Sequence, residues 1–122
     1  GDILVVMVGA DAVIKHNKGD ERPIVNEHLR MKMIDSIRPV DYTLLDYLSP
    51  KTSPHPLHII DMALEKLKPD VYVINKDAWD IPYREKLGEK HGVQLVILDR
   101  TAPPEFEGIS TTKIIQKIKS LL

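Results

Sequence analysis

The sequence predicts an α/β fold with a parallel sheet and flanking helices, and two observations predict it. The stretches "ILVVMV" (3–8), "DVYVIN" (70–75) and "QLVILD" (94–99) are short, continuous apolar runs rich in β-branched residues, the pattern of strands buried on both faces. Segments of helical periodicity separate them, so that strand and helix alternate as in right-handed βαβ units.

The elements follow in order. Residue 3 already lies in a strand, with no sequence leading into it, so either the domain starts abruptly or its first element is missing. Residues 9–24, "GADAVIKHNKGDERPI", read as a loop. Leu29, Met33, Ile34 and Ile37 mark a helix over 26–38, and "VDYTLL" (40–45) reads as a further strand. The Pro- and Ser-rich "SPKTSPHP" (49–56) is a loop, too short for a domain linker. Leu57, Ile60, Ala63, Leu64 and Leu67 then define a helix over 56–67 that stops at Lys68-Pro69, and another over 82–91 stops at His91-Gly92. After the loop "RTAPPEFEG" (100–108), Ile114, Ile115 and Ile118 lie on one face of a closing helix over 111–121.

Composition narrows the function. At 122 residues the chain fits one domain, 1–122, of ordinary size. With 17 basic against 18 acidic residues it lacks the positive excess of a general nucleic-acid binder. No cysteine is present, which excludes disulfides and thiolate metal sites and is compatible with a reducing cytoplasm. The longest apolar run is too short to cross a bilayer, so no membrane partner is expected. The five histidines form no close metal-ligand spacing, and no P-loop, nucleophile elbow or Ser-His-Asp order occurs.

In open parallel sheets, ligands bind beyond the carboxyl ends of the strands, where helix N-termini offer unpaired N–H groups. In "EGISTT" (107–112) Gly108 permits close backbone approach, and Ser110, Thr111 and Thr112 place hydroxyls beside the free amides of a first turn. That chemistry suits a phosphate, and it also suits an ordinary helix cap stapled by Ile109; the residues alone leave both readings open. Lys15 and Lys18, before Gly19 and Arg22-Pro23, gather positive charge in a segment able to cover a triphosphate. Solvated surface lysines are the plainer reading. Arg38 ends a helix before Pro39, where a cation suits either the helix dipole or a phosphate. Asp77 and Trp79 follow the strand "DVYVIN"; the carboxylate can bind a hydroxyl or a metal, and the indole can pack on a ligand or anchor a core.

Taken in order, "GDILVVMVGAD", "KGDERPI", "IRPVD", "KPDVYVINKDAW" and "EGISTTKII" resemble the cytidylyltransferase-like nucleotidyltransferases, glycerol-3-phosphate cytidylyltransferase and the heptose-phosphate adenylyltransferase domain above all. The resemblance covers residues 1–47 and 68–122. It implies a Rossmann-like domain that transfers CMP or AMP from CTP or ATP to a phosphate-bearing small acceptor, with magnesium accompanying the nucleotide and pyrophosphate released. Carried over by position, it implies catalytic roles for Lys18 and Arg38. It implies nucleotide contacts for Asp77, Trp79, Arg100, Gly108, Ile109, Ser110, Thr111 and Thr112, and no metal ligand in this chain. Ala78 interrupts the family's Asp-Trp pair, and "APPEF" separates Arg100 from the "EGISTT" motif.

The family's G-x-F-D-x-x-H-x-G-H turn, expected before "GDILVV", is absent from these 122 residues. The resemblance therefore implies a stretch that lacks the domain's first strand and helix, and a full-length enzyme that this stretch alone is not. It also implies cytoplasmic location and admits a homodimer. Two other readings stand beside it: a nucleotide-binding or regulatory module of the same fold that has lost its chemistry, and a structural α/β domain whose "ISTT" is only a cap.

Overall fold

The computed structural model describes residues 1–47, 53–106 and 108–122. They form two compact units, Gly1–Pro69 and Asp70–Leu122, each containing parallel strands and helices, the α/β class expected. Residues 49–52 of the "SPKTSPHP" loop and Glu107 of the "EGISTT" stretch lie outside the described residues.

In the first unit, β1 (Val5–Gly9) pairs in parallel with β2 (Tyr42–Asp46), in a register running from Val5 opposite Tyr42 to Gly9 opposite Asp46. The ladder is closed at both ends. The Ala10 N–H donates to the Asp46 carbonyl at 2.9 Å, and the Leu4 N–H donates to the Asp41 carboxylate at 2.7 Å. Two helices, α1 (Asp11–Lys18) and α2 (Glu27–Asp35), connect the strands, and α2 packs on both of them. Asn26 caps α2 by accepting the Leu29 N–H at 3.0 Å. The helix α3 (His58–Leu67) follows, ending at Lys68 in the left-handed region before Pro69, as the sequence implies. Among the described residues, Val8, Ala10, Leu57, Ile59 and Leu64 are the buried apolar side chains of this unit.

In the second unit, β3 (Val71–Asn75) pairs in parallel with β4 (Gln94–Leu98), from Val71 opposite Gln94 to Asn75 opposite Leu98. The crossover is α4 (Ile81–His91), which packs on β4 and stops at Gly92, whose φ of 66° few other residues adopt. The approach of α4 to the next segment is close at Gly88. A Cβ there would stand 3.0 Å from the Val93 carbonyl oxygen, and the Val93 N–H donates to the Gly88 carbonyl at 2.8 Å. Ile74, Leu87 and Val93 are buried. A short 3-10 turn, Pro104–Phe106, lies within the loop expected at 100–108, and α5 (Thr111–Leu121) follows it.

Two expectations are corrected. The segment 9–24 is not all loop, because α1 occupies Asp11–Lys18. No residue of α1 is buried, so it lacks the apolar stripe that periodicity detects. Its signals are electrostatic instead: Asp11 in the first turn, Lys15, His16 and Lys18 in the last, and Gly19 beyond. Arg38 does not end a helix, since α2 stops at Asp35. The residue before a proline is driven out of the helical region, and Arg38 and Pro39 instead form the corner of a turn closed by the Val40 N–H on the Ile37 carbonyl at 2.9 Å. Among the described residues no helix is long and apolar enough to cross a membrane.

Leu87, only 3% exposed, should dominate the local packing of α4. Leu87→Ala is expected to lower stability by about 2–4 kcal/mol in urea unfolding, whereas Leu121→Ala should change it by less than about 0.5 kcal/mol.

Candidate functional site

The parallel register of β3 and β4 sends both strands out of the sheet at the same end, so the residues after Asn75 and Leu98 become neighbours. The Lys76 N–H extends the ladder to the Leu98 carbonyl at 2.9 Å. Lys76 Nζ meets Asp99 Oδ1 at 2.8 Å, and Arg100 Nη1 donates to Asp77 Oδ2 at 3.1 Å. Two charges from each loop thus cross-link the carboxyl edge of the sheet. All four side chains are more than half exposed, so each pair contributes at most about 1 kcal/mol to stability. Their consequence is placement: two cations and two anions held where a polar ligand can exchange with them.

The turn from Lys76 to Asp80 is fixed from behind. The Ala78 N–H donates to the Asn75 carbonyl at 2.9 Å, and Asp80 caps α4 by accepting the Tyr83 N–H at 3.2 Å. Asp80 does so from the left-handed region, φ 52°, which Asp tolerates better than most residues. Arg84 Nε donates to the Trp79 carbonyl at 2.7 Å, and its Nη1 donates to the Tyr72 hydroxyl. Tyr72 is half-buried on β3, and burial raises its hydroxyl pKa, against the lowering effect of the Arg84 charge. Trp79 itself is 58% exposed. The core-anchor reading of the indole therefore does not hold.

At the start of α5, Ser110 is the N-cap, its Oγ accepting the Lys113 N–H at 3.2 Å. The cap reading is realised, and it satisfies one amide. Thr111 and Thr112 lie exposed in the first turn, and among the described residues their N–H groups have no partner. Gly108 has φ 80°, and the Lys113 Nζ lies 3.4 Å from where a Cβ on it would stand. The Ile109 N–H donates to the Phe106 carbonyl at 3.1 Å, and the Ile109 side chain is exposed, which leaves no hydrophobic staple formed by burial.

In the first unit, Lys18 is the last residue of α1 and Arg38 stands in the turn before β2, both exposed. Among the described residues the Arg38 side chain has no hydrogen-bond or ion-pair partner. The aspartate of its "RPVD" segment has a structural task, since Asp41 holds Leu4 at the foot of β1. Lys15 pairs with Asp20 at 3.4 Å.

The structure therefore joins Asp77 with Arg100 directly and sets Gly108 and Ser110 on one capped turn, while Lys18 and Arg38 stand on separate elements of the other unit. Sequence reasoning passes over Lys76, Asp99 and Lys113. Lys76 and Asp99 are accessible to it in principle, because they are the first residues after two strands of like pattern. Lys113 carries no such signal. Among the described residues no group of three or more His, Cys, Asp or Glu side chains is placed to hold a metal ion.

The family described as cytidylyltransferase-like matches residues 1–117. The bifunctional protein HldE of Helicobacter pylori is 36% identical over 120 residues, which is 98% of this chain and 22% of the relative. The bifunctional protein HldE of Campylobacter jejuni is 35% identical over 120 residues, with the same shares. The chain thus spans about a fifth of the length of the curated relatives it matches. The crystal structure of the lipopolysaccharide core biosynthesis protein from Thermoplasma volcanium superposes with a TM-score of 0.58 at 23% identity, covering 84% of this chain and 76% of that one. That likeness concerns the fold.

The raised pKa of Tyr72 carries a pH dependence. The folded state holds the phenolic proton more tightly than the unfolded chain, so this contribution is complete below about pH 10 and is lost as pH rises beyond it. Tyr72→Phe is expected to cost about 1 kcal/mol at neutral pH through the lost hydrogen bond, and to decline less steeply than the parent in alkaline urea titrations.

Proposed function

The chain belongs to the cytidylyltransferase-like family, and from that premise we propose that it forms part of a nucleotidyltransferase acting on CTP or ATP and a phosphate-bearing small acceptor. The observation that carries the reading is the pairing of Asp77 with Arg100 at the carboxyl edge of β3 and β4, two residues that the family resemblance independently assigns to the nucleotide. The sequence resemblance to the heptose-phosphate adenylyltransferase domain supports a sugar phosphate as the acceptor, with glycerol 3-phosphate as the other candidate.

In the proposed reaction an oxygen of the acceptor phosphate attacks the α-phosphorus of the triphosphate. A P–O bond forms there, the bond from the α-phosphorus to the bridging oxygen of the β-phosphate breaks, and pyrophosphate leaves with the electron pair. No covalent enzyme intermediate is needed, so catalysis consists of positioning and charge stabilisation. Within the first unit, the family resemblance gives Lys18 and Arg38 the role of cations for the charge that grows during transfer. Ser110, Thr111 and Thr112, with the open amides of the first turn of α5, hold phosphate oxygens, and Gly108 and Ile109 lead the backbone to them. Trp79 packs on the nucleotide, and Asp77 binds a hydroxyl, with Arg100 passing from Asp77 to phosphate. Magnesium enters as part of the nucleotide substrate, in keeping with its usual dependence on phosphate oxygens and few protein ligands.

Ser110→Ala separates the two roles of the helix start. The reading predicts about 1 kcal/mol lost in stability and about a tenfold weaker nucleoside triphosphate affinity by calorimetry; lost stability with unchanged affinity would leave Ser110 a cap alone. Arg38→Ala should lower pyrophosphate release about a hundredfold with little change in melting temperature, because its side chain bonds to nothing among the described residues. Nucleotide binding with no turnover under any acceptor would favour the module that has lost its chemistry.

A further inference from the structure

The Arg30 guanidinium is the hub of the first unit's polar contacts. Its side chain is only 20% exposed, and every one of its nitrogens is used. Nε donates to the Val25 carbonyl at 3.0 Å, Nη1 to the Gly9 carbonyl at 2.6 Å, and Nη2 to Asp11 Oδ1 at 2.6 Å. Gly9 ends β1, Asp11 begins α1 and Val25 precedes the cap of α2, so one side chain ties both ends of the 9–25 segment. A second contact supports it: the Asp11 N–H donates to Glu27 Oε2 at 2.8 Å. The foot of α1 is therefore held by two side chains from the first turn of α2.

Packing does part of this holding: Val13 and Ile14 are half-buried beside Gly9, but no residue of α1 is fully buried, so its direction also depends on the polar grip at its foot. Lys18 stands at the other end of the helix. Eight residues span about 12 Å, so a tilt of about 5° at the foot displaces Lys18 by about 1 Å. A displacement of that size at a reacting centre costs about a hundredfold in rate.

We propose that Arg30 is a positioning residue, which sets the direction of α1 and thereby the place of the Lys18 ammonium at the triphosphate. The inference rests on the role that the proposed function gives Lys18. Lysine cannot replace Arg30, because a single ammonium cannot meet three acceptors laid out for a planar fork.

The test is a double-mutant cycle with a structural readout. In Arg30→Lys, hydrogen exchange at short labelling times is expected to quicken for residues 11–18 and to stay unchanged in β1 and β2. The same variant should lower kcat about a hundredfold while KM for the nucleotide stays within about threefold. In a Lys18→Met background the Arg30→Lys loss should vanish, since the group being positioned is gone. Unchanged exchange in residues 11–18, or losses that add across the two sites, would overturn the proposal. If Lys18→Met alone leaves kcat at the parent level, the catalytic role of Lys18 fails and the proposal fails with it. These assays use the full-length protein that contains this stretch; if that parent shows no nucleotidyl transfer, the functional reading fails by itself, and the proposal is overturned as a statement about catalysis even where exchange confirms the grip.

Discussion

Parallel pairing is the constraint on which the rest of this structure depends. Each strand pair, β1 with β2 and β3 with β4, must be joined by a crossover that returns the chain to the same starting edge, and every such crossover leaves from the carboxyl edge. The helix starts and the loops that precede them accumulate there. In the second unit that edge holds Lys76, Asp77, Asp99 and Arg100, and in the first it holds Gly9, Asp11 and Arg30. Chemistry gathers at the strand ends because the topology delivers polar loops to them, while apolar residues such as Val8 and Ile74 fill the strands themselves.

The two crossovers solve one local problem in the same way. Asn26 and Asp80 each cap a helix by accepting the N–H three residues on, and an arginine four residues after the cap, Arg30 or Arg84, returns its Nε to the carbonyl just before the cap. The remaining guanidinium nitrogens then reach toward the preceding strand, to Gly9 and Asp11 in one case and to the Tyr72 hydroxyl in the other. A fork of five donors suits this task, because it links a loop, a helix and a strand with one rigid plane. The loop that carries Trp79 and the helix that ends at Lys18 are thereby held although both side chains are exposed.

The strands are legible in the sequence as continuous apolar runs, although the expected burial on both faces is not met: Val71, Val73, Ile97 and Leu98 are exposed, and Val8 and Ile74 are the buried strand residues among those described. The helix α3 is legible because it turns apolar residues such as Ile59 and Leu64 inward, and both α3 and α4 stop where backbone geometry is written in the residue types, at Lys68-Pro69 and His91-Gly92; the isoleucines Ile114 and Ile118 of α5 stay exposed. The helix α1 escapes notice because it is held by charges rather than by a stripe, and spacing cannot announce a contact with Glu27 or Arg30. The same limit applies to the site. Asp77, Arg100 and Ser110 are singled out by resemblance to a family pattern, whereas the pairing of Lys76 with Asp99 depends on strand register, which no single segment contains. Arg38 is legible as a cation near a proline, and only the closed turn shows why it stands clear of α2.

The central claim concerns which phosphorus is attacked. Supplying the full-length protein that contains this stretch with CTP or ATP labelled at the α-phosphate, or at the β- and γ-phosphates, together with a sugar phosphate and magnesium, tests it in one assay. The account predicts the α-label in the acceptor product and the β,γ-label in pyrophosphate. Transfer of the γ-label to the acceptor, or its release as inorganic phosphate with the α-label left in the nucleoside diphosphate, would contradict it.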